Sequence, residues 1–188
     1  MPPAAFRHYS WGCIIATGTI LLPPGAAVLP DGTASNLAPA LQRRKSSGSA
    51  PAIYMLELWF DASTEEWATW AFRMPADYAS GPTLKIQYKA ASATTGDVVW
   101  AGSLAAVTDG DATDVDAKVF AAAQTATVTV PGTAGYLDEA SISLTTAADS
   151  VAAGDFVVVR IARQGAAGGD TATGDMEFVG AAITYTTA

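Results

Sequence analysis

From residue 53 onward, apolar and polar side chains alternate with a period of two, and this pattern most constrains the fold. The segment TLKIQYKA, residues 83–90, places leucine, isoleucine and tyrosine on one face and two lysines and a glutamine on the other. Alternation of this kind is typical of strands that bury one face against a core. No segment longer than a turn has a helical period, so the sequence predicts an all-β fold with antiparallel sheets.

Eight strands are predicted, each bounded by residues that favour turns. They cover residues 53–60, 66–74, 83–90, 96–107, 125–131, 140–144, 155–163 and 176–186. Eight strands in two sheets predict an antiparallel eight-stranded jelly-roll sandwich, with an immunoglobulin-like sandwich as the alternative. The alternation assigns Trp70 and Trp100 to the core. The strand at 155–163 is apolar on both faces, which indicates a covered outer face.

The first part of the chain, residues 1–50, is rich in proline and glycine and has neither a helical nor an alternating period. Its prolines lack a backbone donor and favour extended conformations in the preceding residue. We therefore predict an extended N-terminal arm at 1–50 and the sandwich at 51–188. Since an arm of this composition cannot build a core of its own, we expect neighbouring subunits to hold it.

The charge of the chain narrows the range of partners. It carries 10 basic and 18 acidic side chains, a net charge of -8. A surface this acidic repels phosphate backbones and anionic lipids, so neither nucleic acid nor a membrane is an expected partner. The longest apolar run, residues 13–22, is too short to span a bilayer. Cys13 is the single cysteine, which excludes an internal disulfide.

Residues suited to catalysis are few. His8 and Cys13 are the single histidine and the single cysteine, and an extended arm does not hold the distances that nucleophilic catalysis needs. Paired carboxylates hydrolyse glycosides. The acidic residues considered for that role are Glu57, Asp61, Glu65 and Glu66. Glu57 faces away from the apolar side of its strand, and the others fall in a turn, where solvation is the usual state. We therefore predict neither an enzyme nor a bound cofactor.

One stretch, TDGDATDVDAKV at residues 108–119, is dense in acidic residues. Its aspartates are Asp109, Asp111, Asp114 and Asp116. Oxygen ligands cluster in this way at calcium sites, but an EF-hand loop places glycine and glutamate where Asp114 and Phe120 stand here. The preferred interpretation is a solvated corner between two strands, without a metal. A less regular calcium site on a sandwich loop is the alternative.

Two of the tryptophans, Trp59 and Trp67, are predicted on outer faces. They flank one turn, so the two rings could adjoin, and sugar rings stack on exposed indoles. A glycan-binding site is therefore one interpretation of this pair. A subunit interface explains exposed aromatic residues equally well.

Three spaced elements carry a resemblance to a known group of proteins. They are Phe-Asp-Ala at 60–62, Met-Pro-Ala-Asp-Tyr-Ala-Ser-Gly at 74–81, and Thr-Gly-Asp-Val-Val-Trp at 95–100. With them, most of residues 58–186 resembles jelly-roll virion structural proteins of tailed bacteriophages. The resemblance implies a virion protein on the outer surface of the capsid, as a decoration or head-fibre component that is commonly trimeric. It supplies no catalytic residues.

The function predicted from the sequence is that of a capsid decoration or cement protein, stabilising the shell through its arm and its subunit contacts. The expected partners are the major capsid protein or other virion subunits and two further copies in a homotrimer. The predicted contact residues are Trp11, Ile14, Ile15, Leu21, Leu22, Arg43, Arg44, Lys45, Phe156 and Val158. The alternative is a glycan-binding or receptor-binding module of a phage tail or fibre.

Overall fold

The computed structural model describes residues 16–188. Within them the strands are β1 Thr17–Leu22, β2 Ala40–Lys45, β3 Tyr54–Phe60, β4 Glu65–Arg73, β5 Tyr78–Ala90, β6 Asp97–Val107, β7 Gln124–Thr129, β8 Leu137–Ser143, β9 Phe156–Gln164 and β10 Met176–Thr187. Single turns of 3-10 helix occur at Pro24–Ala26, Val115–Ala117 and Thr145–Ala147. No helix in this part of the chain has the length and apolar character needed to cross a lipid bilayer.

The strands form two antiparallel sheets that pack as a sandwich. The first sheet has the order β2-β3-β10-β5-β8, and the second has the order β4-β9-β6-β7. β1 joins the first sheet on the same side of β10 as β3, so that β10 pairs with β3 near its start and with β1 in its second half. The predicted all-β antiparallel sandwich is confirmed, and residues 16–188 contain ten strands in place of the predicted eight.

The two additional strands lie in the segment expected to be an unpaired arm, and they correct that expectation for residues 16–50. β1 pairs with β10 from Thr17 to Leu22, and Leu22 is only 2% exposed. The main chain then crosses to the second sheet, where the carbonyl oxygen of Pro23 accepts a hydrogen bond from Trp70 Nε1 at 2.9 Å. The predicted boundary at residue 50 falls between β2 and β3, which are neighbours in one sheet.

The core lies between the sheets and is built from the inward faces of the predicted strands. Trp70 and Trp100 are 2% and 0% exposed, which confirms their assignment. The ring of Trp100 meets that of Phe60 edge-on, with centroids 5.2 Å apart, a geometry that aromatic pairs prefer. Tyr88 of β5 packs against the same indole, and the centroids of the two rings are 5.3 Å apart.

One end of β9 is covered by the loop that follows it. Arg163 is fully buried, and its Nη2 lies 2.8 Å from Asp170 Oδ1 in that loop. Asp170 Oδ2 also accepts a hydrogen bond from the amide of Val99, which fixes the loop to β6. Arg163 lies on the inward side of β9; on its outer side Ala162 is buried, whereas Phe156 is 44% exposed, so the prediction of a covered outer face holds at Ala162 and is wrong at Phe156.

Candidate functional site

The candidate site lies on the outer face of the first sheet, where four charged side chains from four strands meet. We call Arg44 of β2, Glu57 of β3, Lys89 of β5 and Glu177 of β10 the charged cluster. The strand order β2-β3-β10-β5 makes their strands consecutive neighbours. Glu177 stands opposite Lys89 in the register of β10 with β5. Opposite residues of an antiparallel pair share a face, so the cluster projects from one surface.

Lys89 is the centre of the charged cluster. Its Nζ lies 3.0 Å from Glu57 Oε1 and also forms an ion pair with Glu177. Glu57 is 1% exposed and Glu177 is 3% exposed. Two buried carboxylates are tolerated at such a position only when cations and hydrogen bonds compensate for the lost hydration. Arg44 supplies the second cation, with Nε 3.7 Å from Glu57 and Nη2 3.9 Å from Glu177.

Trp59 fixes the orientation of this cluster. Its Nε1 donates a hydrogen bond of 3.1 Å to Glu57 Oε2, so the indole lies along the sheet towards the carboxylate. The guanidinium carbon of Arg44 lies 4.9 Å from the centroid of the ring. The prediction that Trp59 lies on an outer face is confirmed, and the indole acts as a support for both Arg44 and Glu57.

Trp67 lies elsewhere, which corrects the expectation that the two tryptophans adjoin. β3 and β4 belong to different sheets, so the turn between them separates the two indoles instead of joining them. Trp67 projects from the second sheet, where its Nε1 donates to the carbonyl oxygen of Ser35 at 3.0 Å. The hydrogen-bond donor of the Trp67 indole is therefore taken up by the segment before β2.

A cavity of about 440 Å³ opens above the charged cluster, and we call it the first cavity. One wall is polar and consists of the cluster together with Lys45, Ser46 and Ser47. The other wall is apolar and small, formed by Met55, Ala90, Ala91, Ala134 and Gly135. A concave site with a few fixed polar groups and an apolar wall is typical of sites that bind small molecules.

A second cavity of about 280 Å³ lies on the same face, towards the other end of β5. Its lining includes Leu21, Lys85, Gln87, Glu139 and Gly180. Lys85 Nζ lies 3.2 Å from Glu139 Oε1, and both side chains are partly exposed. Since Lys85, Gln87 and Lys89 alternate along one strand, the two cavities share a surface.

The residues predicted to contact partners through the arm are placed in different surroundings. Leu22 is packed in the core of its own chain, so the expectation that it anchors the arm to a neighbour is wrong. Leu21 is 74% exposed and lines the second cavity. Trp11, Ile14 and Ile15 lie outside the described residues.

The basic residues of β2 divide between the two faces of the strand. Arg44 lines the first cavity from the outer face, and Lys45, which alternation places on the face of Arg43, borders the cavity at the end of the strand. Arg43 is on the opposite face, where its guanidinium lies 5.9 Å from the ring centroid of Tyr54. Sequence reasoning treated the three as one basic cluster, whereas strand alternation separates Arg43 from Arg44.

The two remaining predicted contact residues, Phe156 and Val158, lie on the outer face of the second sheet. Phe156 is exposed and borders a cavity of about 480 Å³ beside the acidic stretch, together with Arg73, Asp109 and Asp111. Val158 is half-buried at the middle of the sheet. A trimer contact at these residues stays a prediction.

The acidic stretch forms an exposed corner after β6. Asp114 caps the 3-10 turn Val115–Ala117 by accepting a hydrogen bond from the amide of Asp116 at 3.0 Å. Asp109, Asp111 and Asp116 are exposed as well. Within residues 16–188, no three acidic, histidine or cysteine side chains come together as a potential metal-binding group.

Of the other acidic residues considered from the sequence, Asp61 lies in the turn between β3 and β4, whereas Glu65 and Glu66, predicted in that turn, are the first residues of β4. Hydrogen bonds from Ser63 lower the pKa of the Asp61 carboxyl below its usual value. Burial raises the pKa of the Glu66 carboxyl, which accepts a hydrogen bond from the amide of Asp61 at 2.7 Å. These contacts close the turn and lie away from the charged cluster.

Two residues of the site, Lys89 and Glu177, were not identified from the sequence, and neither was the burial of Glu57. The available signal was the single acidic residue in each of the apolar strands MLELWF and MEFV. An acidic side chain on the outward side of an apolar strand is either exposed to solvent or paired with a buried partner. The distinction depends on which strands are neighbours, and this order is set by long-range pairing.

Comparison with known proteins gives distant structural similarity only. No family model matches the chain, and no curated protein matches it. Among solved structures, it is similar to the C-terminal CBM6 of LamC, a marine laminarinase from Zobellia galactanivorans, at 13% identity and a TM-score of 0.41, covering 89% of this chain and 99% of that one. It is also similar to CBM35 from Cellvibrio japonicus Abf62, at 14% identity and a TM-score of 0.43, covering 91% and 99% respectively.

A third structure is the carbohydrate-binding module CBM6cm-2 from Cellvibrio mixtus lichenase 5A in complex with cellotriose. The identity is 16% and the TM-score is 0.37, with 90% of this chain and 95% of that one covered. Similarity at this level assigns neither a family nor a ligand to the chain.

Proposed function

We propose that this protein is a carbohydrate-binding module that holds a neutral sugar in the first cavity. The observation that carries the proposal is the position of Glu57 and Glu177, two buried carboxylates that are paired with Lys89 beneath an open cavity instead of in the closed core. Their hydrogen-bonding atoms are fixed before a ligand arrives, which reduces the entropy lost on binding.

The polar wall matches the chemistry of a sugar hydroxyl. A hydroxyl both donates and accepts hydrogen bonds. Carboxylates accept only, and lysine and arginine donate only. A cavity with Glu57 and Glu177 beside Lys89 and Arg44 therefore offers both complements to adjacent hydroxyls of one ring. Hydrogen bonds to charged groups are stronger than those between neutral groups.

The apolar wall matches the rest of the ring. Met55 is 39% exposed, and Ala91 and Ala134 border the same space. These side chains contact carbon-bound hydrogens and exclude water, while the charged cluster binds the hydroxyls. The division into one polar and one apolar wall favours an amphipathic ring over a wholly charged or wholly apolar ligand.

The charge balance favours a neutral sugar. The charged cluster has two cations and two carboxylates, and the whole chain has a net charge of -8. An anionic ligand meets two buried carboxylates at the floor of the cavity and an acidic body around it. A neutral ligand is repelled neither by these carboxylates nor by the acidic body, so we expect its affinity to depend little on salt concentration.

A glycan array followed by isothermal titration calorimetry tests this proposal. We expect binding of neutral glycans by the unmodified protein and a loss of about tenfold or more in affinity for Glu57→Gln and for Arg44→Ala, since each removes a charge-assisted contact. Arg43→Ala is the matched control, because Arg43 is adjacent in β2 but on the opposite face. It should bind as the unmodified protein does.

Two results would overturn the proposal. The first is an array without any saturable glycan binding by the folded protein. The second is equal affinity in the Arg43→Ala and Arg44→Ala variants, which would place the sugar away from the charged cluster.

The capsid-decoration mechanism predicted from the sequence requires a free arm, which residues 16–50 do not form. Residues 17–22 and 40–45 are strands of the first sheet, and the connection between them contacts β4 through the pairing of Val28 with Thr69. These residues stabilise their own chain. A virion location and capsid partners stay predictions from the sequence.

A further inference from the structure

We propose that the ligand is a chain of several neutral sugar rings that occupies both cavities of the first sheet, an inference that rests on the proposed function. The first cavity is above Lys89 and the second is above Lys85, and the two lysines belong to one face of β5. Lys89 is four positions after Lys85 along the extended strand, a distance of about 13 Å. A single ring does not span that distance.

The surface between the cavities continues the same chemistry. Gln87 is exposed, lies between the two lysines on β5, and borders the second cavity. Its amide both donates and accepts hydrogen bonds, as a chain of hydroxyl groups requires. The face is therefore polar without interruption from Lys89 to Lys85.

The second cavity repeats the division into a polar and an apolar wall. Lys85 and Glu139 form its polar side as an ion pair of 3.2 Å. Leu21, Val179 and Ala182 form the apolar side, and Leu21 is 74% exposed. Leu21 lies beside this ion pair on the same face of the sheet. It contacts a second sugar ring in the way that Met55 contacts the first.

Charge balance extends over the whole face. Across the two cavities the lining cations are Arg44, Lys45, Lys85 and Lys89, and the lining carboxylates are Glu57, Glu139 and Glu177. The local balance is therefore near neutral on a chain of net charge -8. An uncharged chain crosses this face without meeting a strong field of either sign.

An irregularity in β10 makes room for the chain. The register of β10 with β5 shifts between Phe178 and Gly180, so Val179 is the extra residue of a bulge. Gly180 stands opposite Gln87 and lines the second cavity. A Cβ added at Gly180 meets nothing within 4 Å. A larger side chain there fills the groove without displacing the backbone.

Gly180→Leu therefore tests the inference, with Gly168→Leu as the matched control. Gly168 also has open space at its Cβ position, and it lies in the loop after β9, away from the first sheet. The probes are neutral oligosaccharides of increasing length, from a disaccharide to a hexasaccharide, of the type that the array identifies. Thermal unfolding of both variants checks that the fold is intact.

The unmodified protein should bind the hexasaccharide about tenfold more tightly than the disaccharide. Gly180→Leu should remove that gain and leave the affinity for the disaccharide within about twofold of the unmodified protein. Gly168→Leu should change neither value. Arg44→Ala should weaken the binding of both probes.

An affinity that does not rise with chain length, or a length dependence unchanged by Gly180→Leu, would overturn the inference. In either case, the proposed function would still hold if the unmodified protein bound the disaccharide and Arg44→Ala weakened that binding. Loss of all saccharide binding in the unmodified protein would overturn both.

Discussion

The guanidinium of Arg44 lies 4.9 Å from the centre of the Trp59 ring, and the indole of Trp59 donates its hydrogen bond to Glu57, the carboxylate that Arg44 also faces. The three side chains thus form a closed set of contacts on two adjacent strands. Arg44 is about half exposed, so the stacking must compete with water. Stacking of this type at an exposed position stabilises by about 0.5 to 1 kcal/mol.

A double-mutant cycle with Arg44→Ala and Trp59→Leu should therefore give a coupling free energy of about 0.5 to 1 kcal/mol in urea unfolding. The corresponding cycle on Arg43 and Tyr54, where the separation is 5.9 Å, should give a smaller value. Equal coupling in the two cycles would contradict a specific role for Trp59.

Lys89→Met should destabilise the protein by about 3 kcal/mol, because it leaves the buried carboxylates of Glu57 and Glu177 without their central cation. Urea unfolding at neutral pH measures the loss. Adding Glu57→Gln and Glu177→Gln to the same variant should recover most of it, since no buried charge then lacks a partner. A triple variant less stable than Lys89→Met would contradict this account.

Asp170→Asn should destabilise the fold by roughly 3 to 5 kcal/mol, since it leaves the buried Arg163 without its counter-ion. The amide of Val99, which donates to Asp170, should also exchange faster with deuterium. Lys85→Met provides the comparison, because its partner Glu139 is exposed and such pairs contribute under about 1 kcal/mol. Similar losses in the two variants would mean that burial does not decide the strength of these pairs.

Glu66→Gln should become more stable relative to the unmodified protein as the pH rises from about 4 to about 7. Burial raises the pKa of the Glu66 carboxyl in the folded state, and the charge of Asp61 adds to the effect. The folded protein then binds the proton more tightly than the unfolded chain does. The stability that this group contributes is present below the unfolded pKa and is lost as the pH rises through the folded one.

Glutamine does not titrate, and its carbonyl oxygen still accepts the hydrogen bond from the amide of Asp61. Urea unfolding of both proteins across this pH range gives the difference directly. A difference that stays constant or falls with rising pH would show that the pKa of Glu66 is not raised.

The strands in which every inward side chain is buried were predicted correctly from the sequence. In β5, Leu84, Ile86 and Tyr88 are all fully buried, so burial imposes the alternation on the sequence. β2 is exposed along its whole length, and no such constraint acts on it. β1 was not predicted, because it is short and begins with threonine and glycine. The prolines that follow it suggested an extended arm instead.

The site was predicted only in fragments, for a different physical reason. Trp59 and Glu57 were each placed on an outer face from the pattern of β3 alone. Their meeting with Lys89 and Glu177 requires β10 to insert between β3 and β5. That order is a property of pairings between distant segments, which local periodicity does not encode.

The central place of β10 has a consequence for folding. Among the described strands it is the last in sequence order, yet β1, β3 and β5 all pair with it. Non-local pairing of this kind slows folding, because loop closure precedes any gain from contacts. Until β10 has paired, Glu57 and Lys89 belong to strands that have not met. The charged cluster is therefore complete only once β10 has joined β3 to β5.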